Sequence, residues 1–225
     1  TIIHDEYIDI LRLVETLVAR VYVIAQKRAY TGRYKIYRLG RDVYQEDVTV
    51  PEIKARIRSI TTDYADDATV RDSLSQEKFY KEFDPAEQRF LLYFYEAALQ
   101  ADSDREKMPY SLQNWVDGRL VGAGEEINIE VEHIHPQTPV EESEVDEHKH
   151  RLGNLSILPK GENSSLQNAV GADKEEAYKE INLEMNRDIV PDLEDWGEEQ
   201  ISSRGDRITR KILERWPVQS PTIED

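Results

Sequence analysis

Apolar residues recur at intervals of three and four through the first half of the chain, a spacing that predicts amphipathic helices. The longest such stretch runs from Tyr7 to Ala29. Its apolar positions are Ile10, Leu13, Val14, Leu17, Val18 and Val21. Two further helix starts are marked by a capping residue ahead of a proline, at Thr49 and at Asp84. We therefore expect the N-terminal half to be helical.

The pattern changes after Gly122, where apolar and polar residues alternate over 127–131 and predict a short strand. A second short apolar segment covers 152–158. Helical spacing then returns in three stretches, 163–170, 174–185 and 201–213. The sequence thus predicts a mainly α protein with a small α+β part, divided into a helical domain, 1–105, and a second domain, 106–225.

Composition narrows the class of protein. No apolar run approaches the roughly 18 residues that a membrane helix requires, and no basic leader with an apolar stretch marks a secretion signal. The absence of cysteine excludes disulfides and thiolate metal sites. We expect a cytoplasmic protein with no membrane partner. The chain starts at Thr1, without Met and inside a helical pattern, so we expect a fragment of something longer.

The net charge of −17 is unlike the basic footprint that nucleic-acid binding usually leaves. The charge is uneven, however. Residues 1–60 hold 11 Lys and Arg against 8 Asp and Glu, whereas residues 61–225 hold 18 against 38. By its charge, the first part of the chain is therefore better suited to attract nucleic acid than the second.

The stretch 20–41 holds seven basic residues and no acid, with four tyrosines interleaved. The basic residues are Arg20, Lys27, Arg28, Arg33, Lys35, Arg38 and Arg41. Basic side chains can neutralise phosphates while tyrosines stack on bases, so we predict a nucleic-acid contact here. The alternative is that these long side chains only cover neighbouring apolar surface.

Histidines concentrate at the predicted strand. Four of the five lie within 133–150, and Glu132 directly precedes the first. Hydrolysis of a phosphodiester needs a base that activates water and a cation that neutralises the developing charge. A histidine suits the first task, and a carboxylate with an amide oxygen suits a hard divalent ion. Taken alone, such a strand end is more often structural than catalytic.

Three segments together resemble the C-terminal HNH (His-Me finger) nuclease domain of GmrSD-type restriction proteins. They are Glu-Val-Glu-His-Ile-His-Pro-Gln at 130–137, Arg-Leu-Gly-Asn-Leu-Ser-Ile-Leu at 151–158, and the positions Asn163, Asn168, Lys174 and Tyr178. The resemblance covers roughly 85–217 and is specific over 130–178. It implies a ββα-metal finger, in which two strands, a loop and a helix grip one metal ion.

The resemblance also implies a role for each matching residue. His133 is similar to the general base that activates water, and Glu132 matches the acidic metal ligand. Asn163 matches the third HNH residue, which ligates or orients the metal, Mg²⁺ or Mn²⁺. Asn154 matches the middle asparagine, which ties the loop and holds His133 in place. Lys174 lies where a cation could contact the scissile phosphate.

Each residue also has a simpler explanation. Asn154 could be a turn residue, Asn163 a helix cap and Lys174 a solvated helix residue. These explanations do not account for the order and spacing of the whole set, so we interpret the set as a site. His135 stands where the family usually has an apolar residue, and we favour a partly exposed ring over a second ligand.

The predicted function is nicking or cutting of DNA as the effector domain of an anti-phage restriction system that acts on modified or foreign DNA. Full-length relatives usually carry an N-terminal domain with an Asp-Gly-Gln-Gln-Arg motif, which this chain lacks. We therefore expect a nucleotide-binding domain or a partner subunit to work with it.

Two further points stay open. The acidic run 141–147 lies between the two predicted site strands; we predict that it weakens DNA binding, with a passive loop as the alternative. The chain could also be a non-catalytic DNA- or protein-binding module that keeps the HNH fold, or a regulatory helical domain that binds a partner through 7–29.

Overall fold

The computed structural model describes residues 4–103, 111–122, 125–137, 144–161, 174–181 and 183–218. The chain forms two compact units. The first combines Thr1–Leu74 with Leu213–Asp225, and the second is Ser75–Ile212. The domain boundary predicted between residues 105 and 106 lies inside the second unit, because the helix before it packs against the segment that leads into the sheet.

The first unit is helical. Its helices are α1 (His4–Leu17), α2 (Arg33–Tyr44), α3 (Val50–Ala65) and α4 (Asp67–Leu74). A π-helical stretch, Val18–Ile24, continues α1, so the predicted long helix ends before Ala25. The core of this unit consists of buried apolar residues from α1 to α3 and the π-helical stretch: Leu17, Val21, Leu39, Ile53, Ile57, Ile60 and Ala65.

The second unit combines helices with a three-stranded sheet. Its elements are α5 (Phe79–Glu82), α6 (Pro85–Ala101), α7 (Leu112–Val116), β1 (Arg119–Gly122), β2 (Glu125–His133), β3 (Leu155–Pro159), α8 (Glu175–Glu180), α9 (Glu184–Arg187) and α10 (Glu198–Arg215). Short 3₁₀ turns cover Glu144–Glu147, Leu152–Asn154 and Val190–Asp195. The strand order is β1-β2-β3, with both pairs antiparallel.

The structure is therefore mainly helical with a small antiparallel sheet, as the sequence predicts. The predicted start of α6 is confirmed, since the side chain of Asp84 accepts hydrogen bonds from the amides of Ala86 and Glu87. The predicted helix over 174–185 is two short helices, α8 and α9, because Ile181 leaves the helical conformation. Within the described part of the chain, every helix is too short or too polar to span a membrane.

The pairing of β2 with β3 brings the two predicted site segments together. In its register, Glu132 lies opposite Ser156 and His133 lies opposite Leu155. The residues of β3 from Leu155 to Leu158 are all buried, which explains why this strand reads as an apolar run and not as an alternation. The segment of Asn163, which would complete a ββα finger, lies outside the described residues.

Candidate active site

His133 ends β2 and is buried, with 4% of its surface exposed. Both of its ring nitrogens face a neighbour. Nδ1 lies 3.2 Å from the amide nitrogen of Gln137, and Nε2 lies 3.4 Å from Nδ1 of His150. The ring of Tyr80 packs edge to face against the ring of His133, with 4.3 Å between the ring centroids. It also stacks on the ring of His150, with 5.7 Å between the centroids. His133 is therefore held in one orientation from three sides.

This environment keeps the imidazole of His133 neutral. Burial, and after it the positive charges of His150 and Lys174, lower the pKa of His133 to about 3. A neutral ring keeps a lone pair on one nitrogen, which is what a general base needs. Burial also lowers the pKa of His150, which is half-buried and links His133 to the surface.

Asn154 is fully buried and fixes the turn that follows His133. Its side-chain oxygen accepts hydrogen bonds from the amide of His135 at 2.8 Å and from the indole of Trp196 at 3.0 Å. Its side-chain nitrogen donates to the carbonyls of His135 and Lys149, both at 2.9 Å. The four bonds connect the end of β2 and the start of β3 with Lys149 and Trp196, so the chain leaves β2 in a fixed direction.

The position of Asn154 depends in turn on α10. Arg204, which is 1% exposed, donates to the carbonyls of Gly153 at 2.9 Å and Leu155 at 2.6 Å. Gly153 packs so closely on the helix that a Cβ there would overlap the carbonyl oxygen of Ile201. Only glycine fits this contact.

Glu132 and Lys174 form a buried pair on the other side of the strand end. The ammonium of Lys174 lies 2.5 Å from Oε1 of Glu132 and 2.6 Å from the carbonyl oxygen of His133. The two side chains are 0% and 5% exposed. Burial raises the pKa of Glu132 and lowers that of Lys174, and each group's charge opposes the shift of the other.

The donor set at Glu132 does not fit the divalent ion that the resemblance implies. Two oxygens converge there, from the side chain of Glu132 and the backbone of His133, and the ammonium of Lys174 fills the point they share. No group of three His, Asp or Glu residues suited to a metal occurs among the described residues. Asn163, the second predicted ligand, lies outside them.

The structure places the predicted site residues in different settings. Glu132, His133, Asn154 and Lys174 come together at the end of β2, with Lys174 turned inward and not to solvent. His135 is half-buried, in line with the partly exposed ring that we favoured. In the acidic run, residues 141–143 lie outside the described residues. The backbone of Glu144–Glu147 forms a 3₁₀ turn.

Of the seven predicted nucleic-acid contacts, Arg20 is buried and is used inside the first unit. Its guanidinium donates to the carbonyls of Ala65 and Trp216 and to the carboxylate of Asp67. Three others have local partners: Arg28 with Tyr30, Lys35 with Asp63, and Arg41 with Asp42. The remaining three are exposed: Lys27, Arg33 and Arg38.

The tyrosines beside these residues differ in the same way. Tyr30, Tyr34 and Tyr37 are 56%, 76% and 68% exposed, whereas Tyr22 is half-buried and donates to the carbonyl of Thr31. An exposed basic and aromatic surface therefore exists along α2, although Arg20 takes no part in it.

The sequence did not predict roles for Gln137, His150, Tyr80 and Trp196 at the site. Gln137 belongs to the motif segment and His150 to the histidine cluster, so the sequence indicates that both lie near the site but not what they do there. Tyr80 gives no such indication, because it approaches from α5, far from the motif along the chain. Trp196 belongs to the closing part of the chain, which also resembles the family, but the resemblance implies no role for it.

Comparison with known proteins matches residues 64–211, more than half of the chain, to the family described as "GmrSD restriction endonucleases, C-terminal domain". The matched range contains β2, β3 and the described site residues. No curated protein matches the chain.

Proposed function

The chain belongs to the GmrSD restriction endonuclease family, whose C-terminal domain it carries, and we propose that it is a DNA endonuclease of the HNH type with His133 as its general base. The coarser assignment, to a nuclease related to restriction enzymes, follows from the family. The HNH chemistry and the role of His133 are our proposal.

One observation supports this proposal above the others. His133 ends a strand as a neutral, oriented imidazole, and Asn154 fixes the backbone that follows it through four hydrogen bonds. A general base needs this combination of an unprotonated nitrogen and a fixed direction.

The proposed step is activation of water. When Nδ1 of His133 carries its proton toward the amide oxygen of Gln137, Nε2 presents a lone pair; rotating the Gln137 amide by half a turn gives this arrangement. Water then loses a proton to Nε2 and its oxygen attacks phosphorus. The bond between phosphorus and the leaving oxygen breaks, that oxygen takes up a proton from solvent, and His133 then releases its own proton to solvent. The water would enter where His150 now faces Nε2.

Dependence on Mg²⁺ or Mn²⁺ stays a prediction from the resemblance. A divalent ion would neutralise charge on the phosphate, but the carboxylate of Glu132, the ligand that the resemblance implies, is paired with Lys174. The proposed role of His133 therefore does not depend on assigning a ligand.

The test is nicking of supercoiled plasmid in the presence of Mg²⁺ or Mn²⁺. We expect His133→Ala to lower the rate by about 100-fold or more, the usual range for loss of a general base. His4→Ala is the matched control, because His4 is exposed at the start of α1. Nicking by His133→Ala at the wild-type rate would show that His133 is not the base.

A second function is favoured by a specific observation. Both ring nitrogens of His133 and one carboxylate oxygen of Glu132 are already engaged, as expected for a DNA- or protein-binding module that keeps the fold without turnover. Such a module would retard DNA in a gel shift but would leave supercoiled plasmid intact, with and without added metal.

We propose further that the chain acts as the effector of an anti-phage restriction system, together with a nucleotide-binding domain or partner subunit. The family description names restriction endonucleases and so supports this role. Cells that express the chain with and without its adjoining partner gene, challenged with phage carrying modified DNA, would test it; plaque numbers that do not change in either case would contradict it.

A further inference from the structure

The buried pair of Glu132 and Lys174 has the composition of a cation site. Two oxygens of different origin, Oε1 of Glu132 and the carbonyl of His133, lie 2.5 and 2.6 Å from one nitrogen. Both side chains are buried, so this positive charge is not shared with solvent. A carboxylate at this depth is stable only with a cation beside it.

A second buried oxygen lies within the electrostatic influence of Glu132. The hydroxyl of Tyr178, one turn beyond Lys174 on α8, is buried and has no hydrogen-bond partner among the described residues. Burial, and after it the charge of Glu132, raise the pKa of Tyr178. This hydroxyl makes the surroundings of the pair partly polar.

We propose that the ammonium of Lys174 is the resident cation of this site, and that Lys174 is a positioning residue for His133. Its bond to the carbonyl of His133 fixes the backbone of the proposed base, whereas Gln137 and His150 contact its ring. In this arrangement Glu132 neutralises Lys174 and does not ligate a divalent ion. Glu132 can bind a metal only after Lys174 leaves.

The proposal differs from the role expected for both residues. The resemblance implies a metal on Glu132 and a phosphate near Lys174, whereas the structure joins the two residues to each other. It rests on the proposed function only in calling His133 the base. Metal binding and thermal melting test it without any cleavage, so its failure can be told apart from failure of the nuclease assignment.

The first measurement is Mn²⁺ binding, followed by the paramagnetic resonance of free Mn²⁺ in the wild type and in Glu132→Gln. We expect the same number of sites and the same affinity in both, because Glu132 is already paired. Loss of a site, or an affinity at least tenfold weaker in Glu132→Gln, would overturn the proposal.

The second measurement is the melting temperature of Lys174→Met, with Lys179→Met as the matched control. Lys179 also pairs with a glutamate, Glu175, but that pair is exposed on the surface of α8. We expect Lys174→Met to melt about 10 °C below the wild type, because it leaves a buried carboxylate unpaired, and Lys179→Met to melt within about 2 °C of it.

The third measurement separates a cation site from a merely structural contact. Millimolar Mn²⁺ should raise the melting temperature of Lys174→Met but not that of Lys174→Met/Glu132→Gln, since the metal replaces the ammonium on Glu132. Equal melting of Lys174→Met and Lys179→Met, or a Mn²⁺ effect that does not need Glu132, would overturn the proposal. If Lys174→Met does not fold, Lys174→Arg, which keeps the charge, replaces it. The comparison of Mn²⁺ binding by Glu132→Gln and the wild type then still tests the proposal.

Discussion

His133 combines two properties that usually conflict, burial and a role for its lone pair. The strand end removes it from water, and the charges of His150 and Lys174 oppose its protonation. A pKa near 3 leaves the ring unprotonated at neutral pH. The same low pKa makes the ring a weak base, so the rate of the proposed reaction should depend on how well the ring is positioned.

A lowered pKa makes the stability of the fold depend on pH. Below pH 6.5 the unfolded chain protonates this histidine and the folded protein does not, so His133 contributes stability above pH 6.5 that is lost as the pH falls toward 3. Between pH 6.5 and pH 5 we expect its contribution to the free energy of unfolding to fall by about 2 kcal/mol. Urea unfolding of wild type and His133→Asn at both pH values measures it; equal losses in the two proteins would contradict it.

Asn154 is expected to matter for folding and for activity together. Asn154→Ala removes the four hydrogen bonds that this side chain makes, with the amide and carbonyl of His135, the carbonyl of Lys149 and the indole of Trp196. We expect the free energy of unfolding to fall by about 3 kcal/mol. Plasmid nicking should fall by about 100-fold, since the turn after His133 loses its support.

The control for this variant is Asn128→Ala, on the exposed face of β2. It should change the free energy of unfolding by less than about 0.5 kcal/mol, which is usual for surface substitutions. If both variants unfold at the same urea concentration, Asn154 does not fix the turn.

At the scale of elements, the sequence predicts the site strands better than the helices around them. The alternation at 127–131 lies within β2, and most of the apolar run at 152–158 lies in β3, because each pattern is local and depends on one buried sheet. The first residues of that run, Leu152–Asn154, form a 3₁₀ turn instead. β1 is missed because its four residues, Arg119–Gly122, are too few to show an alternation. The helix over 174–185 is interrupted at Ile181, which is buried after leaving the helix.

The pairing of Glu132 with Lys174 could not be predicted from the sequence for a different reason. The two residues are 42 positions apart, and a lysine near a motif for phosphate chemistry suggests contact with substrate. Only the register of β2 and the position of α8 bring them together. Likewise, the stretch 20–41 has no acid in sequence, yet Asp63 of α3 pairs with Lys35.

The contact between Gly153 and α10 offers a matched pair of glycines. In Gly153→Ala the new Cβ would overlap Ile201 and lie 2.8 Å from the amide nitrogen of Gly205, so the helix must move. We expect the free energy of unfolding to fall by about 3 kcal/mol. In Gly205→Ala the nearest atom is 3.7 Å away, and the better helix propensity of alanine should stabilise the protein by about 1 kcal/mol. Thermal melting of both variants in parallel measures the difference, and similar melting temperatures would contradict the tight contact.

At the scale of the whole molecule, the net negative charge opposes the DNA binding that the proposed function requires. The chain carries −17, and DNA is itself an anion. Along α2 the exposed residues Arg33 and Arg38 lie among exposed tyrosines, which suits backbone contact and stacking. We interpret this surface as the first place where DNA is attracted.

The contribution of this surface can be measured by the salt dependence of DNA binding. Each lost phosphate contact lowers the slope of log affinity against log salt by about 1, so Arg33→Ala/Arg38→Ala should lower it by about 2. Arg210→Ala, which removes an exposed charge from α10, should leave the slope unchanged. Filter binding at several salt concentrations gives the slopes; equal slopes in the double variant and the wild type would exclude α2 from the DNA contact.

The support that α10 gives to Gly153 and Leu155 also has a consequence for the order of synthesis. A ribosome completes β2, and with it His133, some 70 residues before it adds Arg204. During that interval the nascent chain contains His133 but lacks the part of α10 that supports Gly153 and Leu155. Synthesis from the N-terminus therefore delays assembly of the proposed nuclease until most of the chain has been translated.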